Sequence, residues 1–324
     1  MAFGIVISLI CLGLALSGIE WRRVGEVVRR ADWRYLVPAG LALIGFLVAR
    51  SARWRVLLGS GVGLGKAFSV TNIGYLISNV LPFRLGDPAR AVAISIDSEV
   101  KVSTALSTVV VERLLDMLTV VTLLAVTVPS VGDVGWTRQA GLLGGGLSLV
   151  SLGLLILLAW RPHWGRQALD RVLMRLPFID RDRWLDWFDG MLEGITAFRS
   201  VERVVSMISW SVVAWGMTVG HYLSVLRAFI ERPSLAEASF LTCATALGVA
   251  LPSSPGAMGV FHSVARYALQ LPFGVAAETA VLIAFASHAF QYVVMSGLGL
   301  VGLLRQNLSL ARLQTEAAAT TIRE

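Results

Sequence analysis

Charged and polar side chains interrupt an apolar sequence at 79–90, which reads NVLPFRLGDPAR. This first polar group contains Asn79, Arg84, Asp87 and Arg90, together with two prolines and a glycine. At membrane depth, a broken backbone is tolerated only where it lies against protein or a wet cavity. The two arginines could clamp a lipid phosphate bidentately, and Asp87 could orient one of them or bind a basic headgroup. The alternative is a solvated loop whose charges lie at the membrane surface.

A second polar group, Glu112, Arg113 and Asp116, lies in an apolar stretch that predicts a membrane-spanning helix over about 102–128. On a helix these three residues share a face, because Asp116 follows Glu112 by four positions and Arg113 by three. Ionisable groups inside a span are costly and usually functional. Arg113 can neutralise only one carboxylate, so we expect the other to pair with an arginine of the first group or to take up a proton. The alternative is a structural ion pair that locks helices together.

A third polar group follows from a repeat, since LPFRLG at 81–86 returns as LPSSPG at 251–256. The candidate binding residues here are Ser253, Ser254, Gly256 and His262. The proline removes a backbone donor and the glycine frees the backbone, so a new helix is expected near Ala257. Its amides would face the break, where an anion could bind. His262 could carry a proton or donate a hydrogen bond, although a lone histidine is more often structural. The alternatives for the whole group are a simple kink and an extracellular turn.

The composition places these groups in an all-α polytopic membrane protein. The 324 residues are 56% hydrophobic and only 15% charged, whereas soluble domains are about a quarter charged. This length suits about eight transmembrane segments of ~20 residues. The net charge of +7 favours anionic lipid surfaces over nucleic acid. Two cysteines in apolar segments indicate no metal site. The glycine-rich stretch around Lys66 lacks the Ser or Thr of a nucleotide-binding loop, so no nucleotide and no cofactor are predicted.

The chain organisation predicts one integral membrane domain at 1–310 and a polar tail at 311–324. Its halves, about 36–160 and 203–305, are joined by an interfacial segment at 161–202. Each half contains a broken, re-entrant hairpin, and matched breaks are typical of transporters with inverted repeats.

Orientation in the cell (cytoplasmic) membrane follows from the arginines. Eight of them between 161 and 203 predict that this loop and the C-terminus are cytoplasmic. The five arginines at 22–34 would then lie outside, against that bias. Small residues four apart, such as Gly216 and Gly220, leave a homo-oligomer open.

Three stretches, NVLPFRLGDPARA, VERLLDML and LPSSPGAMGVFHS, resemble in this order the lysylphosphatidylglycerol synthase transmembrane-region family, also described as flippase-like or UPF0104 proteins. The resemblance covers most of the chain and implies a helical bundle with broken helices. In the best-understood branch it implies a flippase for aminoacylated phosphatidylglycerol. In the resembling family, Glu usually stands where this chain has Asp87, a swap that keeps the charge. Glu often stands where this chain has His262, and the loss of that anion argues against a lysyl headgroup. We expect no soluble synthase domain here, so the lipid would be made by another protein.

The leading hypothesis is a lipid flippase or scramblase that moves a phospholipid or lipid-linked headgroup through a polar intramembrane cavity. Arg84, Arg90 and the helix start at Gly256 would hold the headgroup, while Glu112 and Asp116 tune the cavity or carry protons. Such a protein would not be an enzyme. One alternative is an accessory or scaffold subunit of a lipid or glycan pathway. The other is a transferase that acts on a phospholipid or a polyprenyl-linked lipid.

Overall fold

The computed structural model describes residues 2–59, 61–81, 85–96, 98–131, 135–175, 180–250 and 254–308. Arg84, Ser253 and the predicted polar tail at 311–324 lie outside the described residues. All regular secondary structure in the described part of the chain is helical, which confirms the all-α prediction. In chain order the α-helices are α1 (Ala2–Leu16), α2 (Trp21–Arg30), α3 (Leu36–Leu58), α4 (Leu64–Val80), α5 (Gly86–Ser95), α6 (Val102–Thr127), α7 (Gly135–Trp160), α8 (Pro162–Leu173), α9 (Arg181–Gly194), α10 (Val201–Phe229), α11 (Leu235–Ala250), α12 (Val260–Phe273) and α13 (Ala277–Arg305).

Three of the described helices are long and apolar enough to cross a membrane: α3 with the turn before it, α10 and α13. A fourth span results if α1 and α2, which are bent by 78° relative to each other, are taken together. Helix α6 has the necessary length, but it carries Glu112, Arg113 and Asp116. The helices on either side of the two breaks are shorter than a bilayer is thick. The count of about eight transmembrane segments therefore stays a prediction.

The two halves repeat one order of helices. A long helix, two short helices separated by a break and a second long helix occur as α3–α6 and again as α10–α13. Helix α4 packs on α5 across the first break, and α11 packs on α12 across the second. Two main apolar cores result, one centred on first-half residues such as Trp54 and Ile73 and the other on second-half residues such as Leu241 and Ile283, and each also includes residues of the other half.

The corresponding long helices α3 and α10 are antiparallel neighbours. Near one end of the pair, Arg53 Nη1 donates to Ser211 Oγ at 3.0 Å. Near the other end, His221 Nδ1 lies 3.0 Å from the carbonyl oxygen of Ala39. Because the residue number rises along α10 as it falls along α3, the two equivalent helices run in opposite directions.

Helix α13 packs antiparallel on α4. The corresponding pair with the halves exchanged, α11 and α6, is also in contact. Asn79 Nδ2 at the end of α4 donates to Ser296 Oγ at 2.9 Å. Two turns earlier, the backbone of α4 lies so close to Gly299 that a β-carbon there would be 2.5 Å from the carbonyl oxygen of Asn72. Glycine therefore sets the distance between these helices.

The second break differs from its prediction, because α12 begins at Val260 and not near Ala257. Between the break and the helix, Gly256, Ala257 and Gly259 have positive φ angles of 64°, 54° and 85°. A right-handed helix needs negative φ at each residue. The backbone therefore turns through left-handed conformations first, and the helix starts only after them.

Candidate functional site

Seven charged side chains from α3, α5 and α6 meet in the first half of the bundle. We call them the charge cluster: Arg50, Arg53, Asp87, Arg90, Glu112, Arg113 and Asp116. Each helix contributes residues three or four positions apart, so its charges share one face. The break before α5 makes the meeting possible, because α5 then starts beside the middle of α6 instead of at its end.

Glu112 and Asp116 form the buried centre of the charge cluster. Arg53 Nη2 donates to Asp116 Oδ1 at 2.7 Å and to Glu112 Oε1 at 3.2 Å. Arg50 Nη2 lies 2.9 Å from Asp116 Oδ2. Arg90 Nη2 donates to Glu112 Oε2. Glu112 thus pairs with Arg90, an arginine of the first polar group. Of the two outcomes that the sequence left open, pairing with such an arginine or uptake of a proton, this is the first.

The edge of the charge cluster is an ion pair between Arg113 and Asp87. Arg113 donates bidentately to this carboxylate, with distances between nitrogen and oxygen atoms of 2.7–3.0 Å. Its side chain is 45% exposed and that of Asp87 is 26% exposed, whereas the side chains of Arg53 and Glu112 are fully buried. Only this edge is therefore open to a ligand from outside the described bundle.

The charge cluster carries one surplus positive charge, since four arginines face three carboxylates. Aromatic rings cover two of the guanidinium groups. Arg90 lies 4.6 Å from the ring centre of Trp54, and Arg50 lies 5.8 Å from each of the rings of Phe46 and Tyr75. These contacts stabilise the cations away from water. The arrangement therefore suits an additional anion at its exposed edge.

Sequence reasoning did not include Arg50 and Arg53 among the site residues. The signal was present, because two arginines three positions apart inside an apolar run share one helix face. What the sequence did not show is that this face of α3 meets α6. The predicted second polar group is therefore part of a larger site.

The two breaks approach each other beside α13. Tyr292 Oη donates to the carbonyl oxygen of Asn79 at 3.1 Å. A β-carbon on Gly256 would lie 2.9 Å from the Tyr292 ring and 3.5 Å from that same carbonyl oxygen. Asn79 and Gly256, which the sequence placed in different polar groups, are thus near neighbours. Among the described residues, the side chain and carbonyl oxygen of Asn79 hydrogen-bond Ser296 and Tyr292 on α13 and not the charge cluster.

Ser254 and the segment after it are held against α1. The Ser254 amide donates to Ser8 Oγ at 2.9 Å, and its hydroxyl donates to the carbonyl oxygen of Met258 at 3.2 Å. Further along, Ser263 Oγ donates to the carbonyl oxygen of Cys11. The polar atoms of Ser254 therefore already have protein partners.

His262 belongs to a chain of hydrogen bonds around the second break. Its Nδ1 accepts from the Gly259 amide at 3.2 Å, which places the imidazole proton on Nε2. Nε2 lies 3.3 Å from Nδ1 of His288, so His262 donates and His288 accepts. Two neutral imidazoles satisfy every link of this chain. In this structure His262 connects α12 to α13, and its ring atoms have no free position for a ligand.

The described residues contain no group of three or more His, Cys, Asp or Glu side chains arranged to hold a metal ion. The carboxylates of the charge cluster are instead directed at arginines.

Comparison with known proteins identifies the family. The family model for the lysylphosphatidylglycerol synthase TM region matches residues 1–299. The chain belongs to this family. It is also similar to a UPF0104 membrane protein of Methanothermobacter thermautotrophicus, with 26% identity over 305 residues, which is 89% of each chain. No solved structure matches significantly. The resemblance found in the sequence is confirmed, and membership points to a lipid-related function in the membrane.

Asp87 and His262, the two positions at which the resemblance leads us to expect glutamate, have different surroundings. Asp87 lies at the exposed edge of the charge cluster and keeps the negative charge that pairs with Arg113. His262 lies away from the cluster, in the neutral chain with His288. Asp87 therefore forms an ion pair at this edge, whereas His262 forms a hydrogen-bonding link between helices.

Proposed function

We propose that this protein is a flippase or scramblase that moves the headgroup of a phospholipid or lipid-linked molecule between leaflets. The observation that carries the proposal is the charge cluster, with its one surplus positive charge and its exposed edge at Arg113 and Asp87. Ionisable side chains within membrane helices are rare and typically mark the paths of ions or substrates. The membrane in question is the cell membrane, with the acyl chains remaining in lipid.

The headgroup phosphate would bind at Arg113. Asp87 also lies 3.5 Å from Arg90, so it keeps a cationic partner if a phosphate displaces it from Arg113. A phosphodiester carries one negative charge, which would balance the surplus charge of the cluster. The sequence pointed to a clamp made by Arg84 and Arg90. Because Arg90 is buried between Glu112 and Trp54, we assign the exposed phosphate contact to Arg113 instead.

We further propose that α4–α5 and α11–α12 are re-entrant hairpins of an inverted repeat. The equivalent helices α3 and α10 run antiparallel, and the packing of α4 on α13 recurs as that of α11 on α6. Both features support halves that enter the membrane from opposite faces. In this arrangement the segment 161–202, which contains α8 and α9, and the C-terminus are cytoplasmic. Transport would be passive or coupled to an ion.

A second candidate function is that of an accessory or scaffold subunit. It is favoured by one observation: every carboxylate of the charge cluster already has an arginine partner within the protein. In that case the cluster would hold α3, α5 and α6 together and bind nothing. A transferase lacks a comparable supporting observation among the described residues, so we propose that the protein is not an enzyme.

The deciding experiment measures headgroup accessibility in proteoliposomes. Fluorescent phosphatidylglycerol and phosphatidylcholine are tested with a membrane-impermeant quencher, with and without a pH gradient. We expect quenching of the inner leaflet that depends on the protein. Arg113→Gln should slow translocation of the anionic lipid about tenfold or more, because a charge-assisted hydrogen bond contributes about 1.5–3 kcal/mol. Arg203→Gln, at the exposed start of α10, serves as the matched control.

The same experiment separates the candidates. If the inner leaflet is protected from quenching for every lipid, or if Arg113→Gln transports normally, the proposed headgroup site is wrong. A loss of stability in charge-removing variants without any transport would favour the accessory role. New lipid species detected by mass spectrometry would reveal a transferase.

A further inference from the structure

Helix α2 lies across one end of the bundle. It is bent by 78° away from α1, which runs alongside α12. Its start is fixed to α13 by a hydrogen bond of 3.4 Å from the Glu20 amide to Glu278 Oε1. Just beyond its end, the Asp32 amide donates to the carbonyl oxygen of Ala228 in α10 at 2.9 Å. Because both ends are held, the same face of α2 always points away from the bundle.

This helix presents an apolar edge beside a basic edge. Trp21 and Val28 are seven residues apart, so they lie on the same side of the helix, and they are 64% and 37% exposed. Arg22 and Arg29 are also seven residues apart, about 100° further around the helix. Val24, on the side of the apolar edge away from these arginines, is partly buried. The bundle thus covers only part of the apolar surface of α2.

The basic edge has more positive charge than the protein neutralises. Two of the arginines in this region form ion pairs with nearby acids: Arg23 with Glu20 at 2.9 Å, and Arg34 with Asp32 at 2.8 Å. Arg22, Arg29 and Arg30 are exposed and have no ion pair among the described residues. Glu26 is the one further acid within the helix. The edge therefore attracts an external anion.

We propose that α2 docks on anionic phospholipid headgroups of the leaflet at this end of the bundle. Trp21 would lie at the boundary between headgroups and acyl chains, where tryptophan is enriched. Arg22 and Arg29 would contact the phosphates. A basic amphipathic helix in the plane of the interface binds through apolar area together with attraction to anionic lipid. This site is separate from the charge cluster, so the proposal stands or falls independently of headgroup transport.

The test uses the full-length protein in nanodiscs and compares photoactivatable phosphatidylglycerol with photoactivatable phosphatidylcholine. Mass spectrometry locates the labelled segment. We expect phosphatidylglycerol to label 20–34 preferentially and Arg22→Gln with Arg29→Gln to reduce this labelling tenfold or more, since each arginine near an anionic surface contributes roughly fivefold. Arg22→Lys with Arg29→Lys should retain most of it. The exposed pair Arg171→Gln on α8 with Arg175→Gln just after it should leave this labelling unchanged.

Three results would overturn the proposal. The first is equal labelling of 20–34 by the two lipids. The second is undiminished labelling in the double glutamine variant with its thermal stability unchanged. The third is arginine-dependent crosslinking of this segment to another protein chain in place of phosphatidylglycerol, which would assign the basic edge to a protein partner.

Discussion

Glu112→Gln should strongly destabilise the protein, although the amide has nearly the same shape as the carboxylate that it replaces. The Glu112 side chain is fully buried and interacts with Arg53, Arg90 and Arg50. Removing its charge raises the surplus positive charge of the cluster from one to two. The amide nitrogen would also face an arginine, donor against donor. The substitution therefore leaves buried cations without sufficient compensation.

The size of this effect follows from what each arginine retains. Removing one partner of a buried ion pair typically costs about 3–5 kcal/mol. In this cluster Arg53 and Arg50 keep Asp116, at 2.7 and 2.9 Å, and Arg90 keeps Asp87 at 3.5 Å. Because no arginine is left entirely alone, we expect a loss at the lower end, about 3 kcal/mol.

The free energy of unfolding is measured in mixed lipid–detergent micelles titrated with SDS. The control is Glu193→Gln, whose side chain is 56% exposed and pairs loosely with Lys101 at 3.9 Å. It should cost less than about 1 kcal/mol. Adding Arg90→Gln to Glu112→Gln should recover about 1 kcal/mol or more, since contacting residues couple by 0.5–3 kcal/mol. If Glu112→Gln costs no more than the control, the cluster does not hold the bundle together.

Two further predictions concern helix contacts. Gly299→Val should destabilise the protein by about 1–3 kcal/mol, because its β-carbon would lie 2.5 Å from the carbonyl oxygen of Asn72. The control Gly297→Val, whose β-carbon would have nothing within 4 Å, should be tolerated in the same unfolding assay. Equal losses of stability in the two variants would contradict the reasoning. Arg266→Gln should speed hydrogen exchange in α1, because Nη1 of this arginine donates to three carbonyl groups at the end of that helix at 2.8–2.9 Å. The exposed Arg227→Gln on α10 should leave that exchange unchanged, and similar rates in both variants would show that α1 is held by other contacts.

The positions of the breaks could be predicted from local chemistry. The repeated stretches at 81–86 and 251–256, which the sequence identifies as breaks, directly follow the ends of α4 and α11 at Val80 and Ala250. Proline disfavours helical conformation in the residue before it, so a Leu–Pro pair ends both helices. The start of α12 was predicted three residues too early, because successive positive φ angles depend on the contacts around Gly256 and Gly259.

The composition of the charge cluster could be predicted only in part. The shared face of Glu112, Arg113 and Asp116 follows from helical spacing alone. Their partners on α3 do not, because spacing within one helix carries no information about which other helix it meets. The ion-pair partner of Arg113 shows most clearly what spacing within one helix cannot predict. Its neighbour Asp116 lies 3.8 Å away, yet its bidentate partner is Asp87 on α5.

Stability alone does not account for the whole charge cluster. Well-packed apolar residues often replace a buried ion pair without loss, and an exposed pair contributes only about 0–1 kcal/mol. Arg113 and Asp87 nevertheless lie at the exposed edge, beside the middle of α6. In the proposed arrangement α6 spans the membrane, and a charge facing lipid at its middle is costly unless water or a headgroup reaches it. The cluster therefore divides into a buried part that holds three helices and an edge suited to a ligand. Glu112→Gln should lower stability, whereas Arg113→Gln should impair transport and leave the fold intact. A variant at the edge that lost stability without affecting transport would remove the basis for this division.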